Sequence, residues 1–149
     1  MDNLSEMDLL KMISITHRKT QMYFNTQVKP LGLTNGLIPF LMITCENGKM
    51  VQNKFCEILD MNKSTVAKML NKLEMQGYVI RRQNDEDSRS IDVYPTEEAF
   101  RIYPCLQEIG KKWELKITEG MTKMERTIFV EMMYQVAAKA GGFFSDDFR

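Results

Sequence analysis

The 149 residues are about the length of one domain and enough to bury a proper core. An apolar content of 44% is that of an ordinary globular protein, and 20 basic against 20 acidic side chains leave no net charge to draw nucleic acid by bulk attraction. No apolar run is long enough to span a bilayer and no basic segment precedes an apolar one at the N-terminus, so a cytoplasmic location is expected.

The first helix is predicted over about Met7 to Val28, with Ser5 and Asp8 spaced as a capping box. Leu10, Ile13, His17, Phe24 and Val28 line one side, with Leu9, Ile15 and Tyr23 beside them. So few exposed positions suit a helix that packs against a second subunit. Lys29-Pro30-Leu31-Gly32 breaks the chain. Thr34 then caps a second helix to about Cys45, in which Pro39 removes a backbone bond and predicts a slight bend. After a turn at Glu46-Asn47-Gly48-Lys49, a third helix is expected over Val51 to Leu59, with Phe55, Ile58 and Leu59 inward.

Asn62 to Tyr94 is the informative stretch. Asn62 suits an N-cap bonding the free amides of Ser64 or Thr65. Val66, Met69, Leu70 and Leu73 fall at i, i+3, i+4 and i+7, one apolar helix face. The other side carries Ser64, Thr65, Lys68, Asn71 and Lys72, with Lys63 at the first position, and Gly77 suits the left-handed turn that ends a helix. Two short β-prone runs follow, 79–83 and 90–94, joined by the polar turn 84–89. A helix ending in glycine and leading into a basic hairpin outlines a winged helix-turn-helix, the third helix bracing the fourth.

That outline suggests chemistry. Ser64, Thr65 and Lys68 are placed to enter a major groove, and Lys63 and Lys72 to meet phosphates. Arg89 suits a minor-groove arm, with Asp87 holding its guanidinium, and Arg81 either braces the wing or touches the DNA backbone. The bland alternative is a solvated lysine face and an ordinary charged hairpin. The stretch holds six basic and five acidic residues, so any field towards DNA comes from placement.

Beyond the wing, Thr96 is expected to cap a fifth helix, with Glu97 and Glu98 in its first turn and a kink at Pro104. Ala99, Ile102, Leu106, Ile109, Trp113 and Ile117 keep helical spacing, and Gly120 ends the helix. Thr122 with Glu125 forms a capping box for a sixth helix to about Ala140, which Gly141-Gly142 stops, leaving Phe143, Phe144 and Phe148 in an apolar tail. Cys45, Cys56 and Cys105 are odd in number and far apart, which fits neither a disulfide framework nor, with one histidine, a zinc site. No phosphate loop, nucleophile elbow or metal-ligand cluster supports an enzyme, and no cofactor is implied.

The residues from Leu31 to Ala99 resemble the MarR family of bacterial transcription regulators. The likeness is carried by Thr34-Asn35-Gly36-Leu37-Ile38-Pro39, Asn62-Lys63-Ser64-Thr65-Val66, Leu73-Glu74, Gly77-Tyr78-Val79, Arg81-Arg82, and the wing Asp85-Glu86-Asp87-Ser88-Arg89 with Val93 and Thr96. The family's wing Asp-x-Arg falls on Asp87 and Arg89. Val51 stands where a capping Ser or Thr is usual, Pro95 replaces a usual Leu, and Ala99 a usual Gly.

The resemblance implies a mainly α fold with a small β-hairpin and one MarR-like domain over 1–149. Residues 31–99 would be the winged unit, and 1–30 and 100–149 the dimerisation helices. It further implies a homodimeric repressor on palindromic double-stranded DNA, released by a small aromatic or phenolic effector. The effector crevice would lie among the first, second and fifth helices, where His17, Tyr23, Met42 and Arg101 are conceivable lining residues. Two alternatives stand beside this reading: a winged-helix module that binds a protein partner, and a redox-sensing repressor, for which Cys105 is the thiol to test.

Overall fold

Helix α1 (Glu6–Val28) gives way at Lys29–Leu31 to a 3-10 turn whose end is set by Gly32 at φ +71°. A computed structural model describes residues 6–147 of the chain, with side chains over 8–142. Ser5 and Phe148 lie outside the described residues, and the Phe143 and Phe144 side chains are not among those described. The chain forms two compact units, Met1–Trp113 and Glu114–Arg149.

Helix α2 (Ile38–Asn47) begins later than Thr34 predicts, because Asn35–Leu37 forms a separate 3-10 turn. Thr34 makes no side-chain cap; the Asn35 amide instead donates to Asn25 Oδ1 on α1 at 2.7 Å. The late start puts Pro39 in the first turn of α2, where its missing N–H removes no helical bond. The predicted cost and bend therefore have no cause.

Met50–Val51 is a short strand, β1, where the sequence suggested the start of a helix. It pairs antiparallel with the second wing strand, Met50 opposite Val93 and Val51 opposite Asp92, and the Gln52 amide donates to the Ile91 carbonyl at 2.8 Å. Helix α3 is consequently short, Lys54–Leu59. Val51 caps no helix; the N-cap of α3 falls on Asn53, which makes no side-chain cap bond. Phe55 is fully buried, but Ile58 is 48% exposed and does not face inward as predicted.

Asp60, in the left-handed region at φ +51°, turns α3 into α4 (Lys63–Met75). The wing is β2 (Val79–Gln83) against β3 (Ile91–Pro95), with Arg81 opposite Val93. With β1 it makes a three-stranded antiparallel sheet in the order β1-β3-β2. Thr96 caps α5 (Glu97–Ile117), its Oγ1 accepting from the Ala99 amide at 3.3 Å, and α5 continues through Pro104.

The core of the first unit gathers one face from each element. Phe40 and Leu41 of α2, Phe55 of α3, and Val66, Leu70 and Leu73 of α4 are at most 1% exposed, as are Val79 and Val93 of the wing. Phe40 and Phe55 stack at 5.5 Å. Tyr23 of α1 stacks on Trp113 at 4.6 Å and donates to the Ile109 carbonyl, and the Trp113 indole donates to Thr20 Oγ1 at 2.9 Å.

In the second unit the Thr122 amide donates to Glu125 Oε2 at 2.7 Å and the Glu125 amide to Thr122 Oγ1 at 3.2 Å, the reciprocal capping box read from sequence. Helix α6 (Lys123–Asp147) runs straight past Gly141-Gly142, where a stop was predicted. A glycine in a helix costs about 1 kcal/mol, which lowers stability without ending the helix unless the residue turns left-handed, and neither glycine has positive φ.

Leu70 touches the centre of the first core and is wholly buried. Leu70→Ala is expected to lower unfolding stability by about 2–5 kcal/mol in a denaturant titration. A loss below about 1 kcal/mol would mean that α4 is not seated on this core.

Candidate nucleic-acid interface

The N-terminus of α4 is held by one side chain. Asn62 Oδ1 accepts from the Thr65 amide and from Ser64 Oγ, both at 2.8 Å. Val66, Leu70 and Leu73 anchor the inner face, so the opposite face must point outward. Lys63, Ser64, Lys68, Asn71 and Lys72 are exposed there, and Thr65 is half-buried. Among the described residues, none of the three lysines has an acidic partner. Unpaired cations beside the free amides of a helix start are the arrangement that receives phosphate.

A single ion pair fixes the wing against this helix. Glu74 of α4 receives Arg81 of β2 three times: backbone amide to Oε2 at 2.8 Å, Nε to Oε1 at 3.3 Å and Nη2 to Oε1 at 3.1 Å. Arg81 Nη2 also donates to Asn71 Oδ1 at 3.1 Å. Arg81 thus takes the bracing role of the two that its sequence position allowed. Burial pushes the Glu74 carboxyl up, but the bonds from Arg81 outweigh it and leave the pKa below the ordinary value. A lowered carboxylate pKa means that the brace is intact at neutral pH and is lost only as pH falls through the carboxylate range.

The wing tip is built from local side-chain bonds. Asn84 Oδ1 accepts from the Glu86 and Asp87 amides at 2.9 and 3.0 Å, and its Nδ2 donates to Asp92 of β3. Asp92 is 3% exposed and pairs with Lys49 Nζ at 3.3 Å, tying the α2–β1 turn to the wing. Asp87 accepts from the Arg89 amide at 3.0 Å and from Ser90 Oγ at 3.2 Å. It therefore orients Arg89 through the backbone, and among the described residues no acid holds the Arg89 guanidinium. The guanidinium is exposed. A shallow groove of about 510 Å³, lined by Glu74, Arg81, Arg82, Gln83, Ser88, Arg89 and Ile91, runs between α4 and the wing.

Sequence reasoning named the outward side chains and missed the ones that set their geometry. Glu74 and Asn71 meet Arg81 across a helix-strand joint, where no periodicity relates them. Lys49 and Asp92 come together only because β1 pairs with β3. Asn84 did carry a signal: an Asn opening a polar run is the mark of an Asx turn.

A short α3 turning tightly into an outward α4 and followed by an antiparallel wing is the architecture of winged helix-turn-helix transcription regulators. The MarR family profile matches residues 33–91. The chain is 27% identical over 129 residues to the uncharacterized HTH-type transcriptional regulator YybA of Bacillus subtilis, covering 87% of this chain and 86% of that one. It is 34% identical over 97 residues to YwoH of the same organism, described in the same words, covering 65% of this chain and 67% of that one. A crystal structure of a putative MarR family transcriptional regulator from Listeria monocytogenes with 26mer DNA superposes with a TM-score of 0.85 at 22% identity, covering 94% of this chain and 95% of that one. The chain belongs to the MarR family. It is a transcription regulator and not an enzyme.

The effector and redox candidates are scattered. His17 is exposed, Tyr23 is occupied by Trp113, Met42 packs on the core, and Arg101 is paired with Glu98 at the surface. Cys45 is buried, Cys56 half-buried and Cys105 exposed, all as free thiols. Burial, with a smaller push from Glu46, raises the Cys45 thiol to about 11. At pH 8 that leaves about one thiolate per thousand molecules. In the folded protein iodoacetamide should modify Cys105 well before Cys45, read by mass spectrometry of the digest; equal rates would contradict the burial of Cys45.

Proposed function

We propose that the protein is a homodimeric repressor that binds a palindromic operator in the cytoplasm and leaves it when a small aromatic or phenolic molecule binds. The observation that carries the DNA contact is the outward face of α4, braced to a wing that ends in Arg89, its three lysines and Arg89 having no acidic partner among the described residues. Ser64, Thr65 and Lys68 enter the major groove, and Lys63 and Lys72 meet phosphates. Arg89 is the minor-groove arm, positioned by Asp87, and Arg81 serves by holding the wing at its angle. The winged unit over 31–99 is the DNA-binding part of one MarR-like domain, and 1–30 with 100–149 are its dimerisation helices.

Apolar surface supports the dimer. On α1, Leu9 and Leu10 are 55% and 65% exposed; on α6, Met124 is 74% exposed, with Ile128, Val130, Met132, Met133 and Val136 each about half exposed. These α6 residues are spread around the helix, and a helix apolar on most sides is stable only when enclosed. A two-fold dimer sets two recognition helices about 34 Å apart, one turn of DNA, which is why the operator is palindromic.

Arg89→Ala is expected to weaken binding to a selected operator by about 1–3 kcal/mol in a fluorescence-anisotropy titration. Lys68→Ala and Lys72→Ala should each weaken it and flatten the dependence on salt. Unchanged affinity in all three variants would remove this face from DNA and favour a winged-helix module for a protein partner.

A further inference from the structure

One exposed polar side chain of α4 has its orientation set by the fold. Asn71 lies seven residues beyond Ser64 and three beyond Lys68, so at 100° per residue it shares their outward stripe. Arg81 Nη2 donates to its Oδ1 at 3.1 Å. A guanidinium has only donors, so the amide oxygen must face it and the NH₂ must face away. That NH₂ meets Met75 Sδ at 3.6 Å, a weak acceptor on a side chain that is 79% exposed.

The brace does not require this contact. Arg81 is already held by Glu74 through Nε, Nη2 and the backbone amide. Truncating Asn71 would leave the guanidinium paired. What Arg81 does is prevent the amide from flipping, because the reverse orientation sets donor against donor. Asn71 thus offers an N–H donor and the second lone pair of Oδ1, side by side and in fixed order.

We propose that Asn71 is a base-reading residue that selects adenine in the major groove, with Arg81 and Glu74 as its positioning residues. The inference rests on the DNA-reading role proposed above. Adenine alone presents an acceptor, N7, next to a donor, N6–H₂, on its major-groove edge. Guanine presents two acceptors there, and cytosine a donor without the adjoining acceptor. Giving up a weak sulfur contact for N7 costs the amide little.

The test selects binding sites from a random duplex pool with the wild-type protein, then measures affinity for all four base pairs at each position. The same is done with N71A and N71D. The aspartate keeps the shape and the bond to Arg81 but has no donor. N71A should lose the preference for adenine at one position of each half-site, with about a ten- to hundredfold fall on the selected sequence. Binding to scrambled DNA and its salt slope should not change. N71D should shift that position towards cytosine, whose N4–H₂ needs only an acceptor. The ratio between base pairs is the readout, since the added charge of N71D weakens all DNA alike.

A purely structural Asn71 predicts that N71D keeps the wild-type preference everywhere, and that result overturns the proposal. So does N71A that retains the preference, or that weakens every sequence equally. A wild-type protein that selects no sequence overturns the DNA-reading role and this inference with it. A wild type that selects a site whose preference both variants keep overturns this inference alone.

Discussion

The Glu74–Arg81 pair is the contact on which the placement of the wing against α4 depends. It joins the last turn of α4 to β2, the first wing strand, with Arg81 19% and Glu74 37% exposed at the side chain. A charge-assisted pair at that depth is screened less than an open one such as Glu98–Arg101, and it fixes an angle as well as adding stability. Without it, α4 would still be held on the core by Val66, Leu70 and Leu73, and β2 by Val79. The brace removes the remaining freedom between them. A recognition helix and a wing that meet adjacent grooves of one duplex need that fixed relation, because each gains from its contact only when the other is already in place.

A second tier of bonds carries the constraint to the tip of the wing. Lys49 holds Asp92, Asp92 holds Asn84, Asn84 gathers the amides of Glu86 and Asp87, and Asp87 takes the amide of Arg89. Of the acids in the stretch, Asp87 and Asp92 are thus used inside the wing through their carboxylates. Asp87 and Asp92 are occupied by amides and Lys49, while Arg89 and the α4 lysines have no acidic partner among the described residues. Placement, and not net charge, makes this surface suited to a polyanion.

What could be read from the sequence was what repeats locally. The caps at Asn62, Thr96 and Thr122 and the left-handed turn at Gly77 follow from residue chemistry within four positions, and each forms as expected. The outward stripe of α4 follows from the spacing of its apolar residues. What depended on distant partners was illegible. Val51 looked like a helix start because its strand partner, Asp92, lies 41 residues away in sequence. Gly141-Gly142 looked like a stop because glycine is common there, yet the conformation that ends a helix was absent. Asn71, Glu74 and Arg81 come together only when the wing folds back on α4. The winged outline came from the helix, its glycine and the basic hairpin, and the family resemblance supplied the Asp-x-Arg; neither supplied this brace.

The central claim is that α4 and the wing read a particular DNA sequence, and titration measures it most directly. The wild-type protein is added to labelled DNA from immediately upstream of its own gene, and to scrambled DNA of the same composition, at several salt concentrations. The account predicts tight binding to the first that exceeds binding to the second and falls steeply with salt, as the α4 lysines and Arg89 displace counterions from phosphates. Equal, weak binding to both, with no site recovered from a random pool, would contradict it.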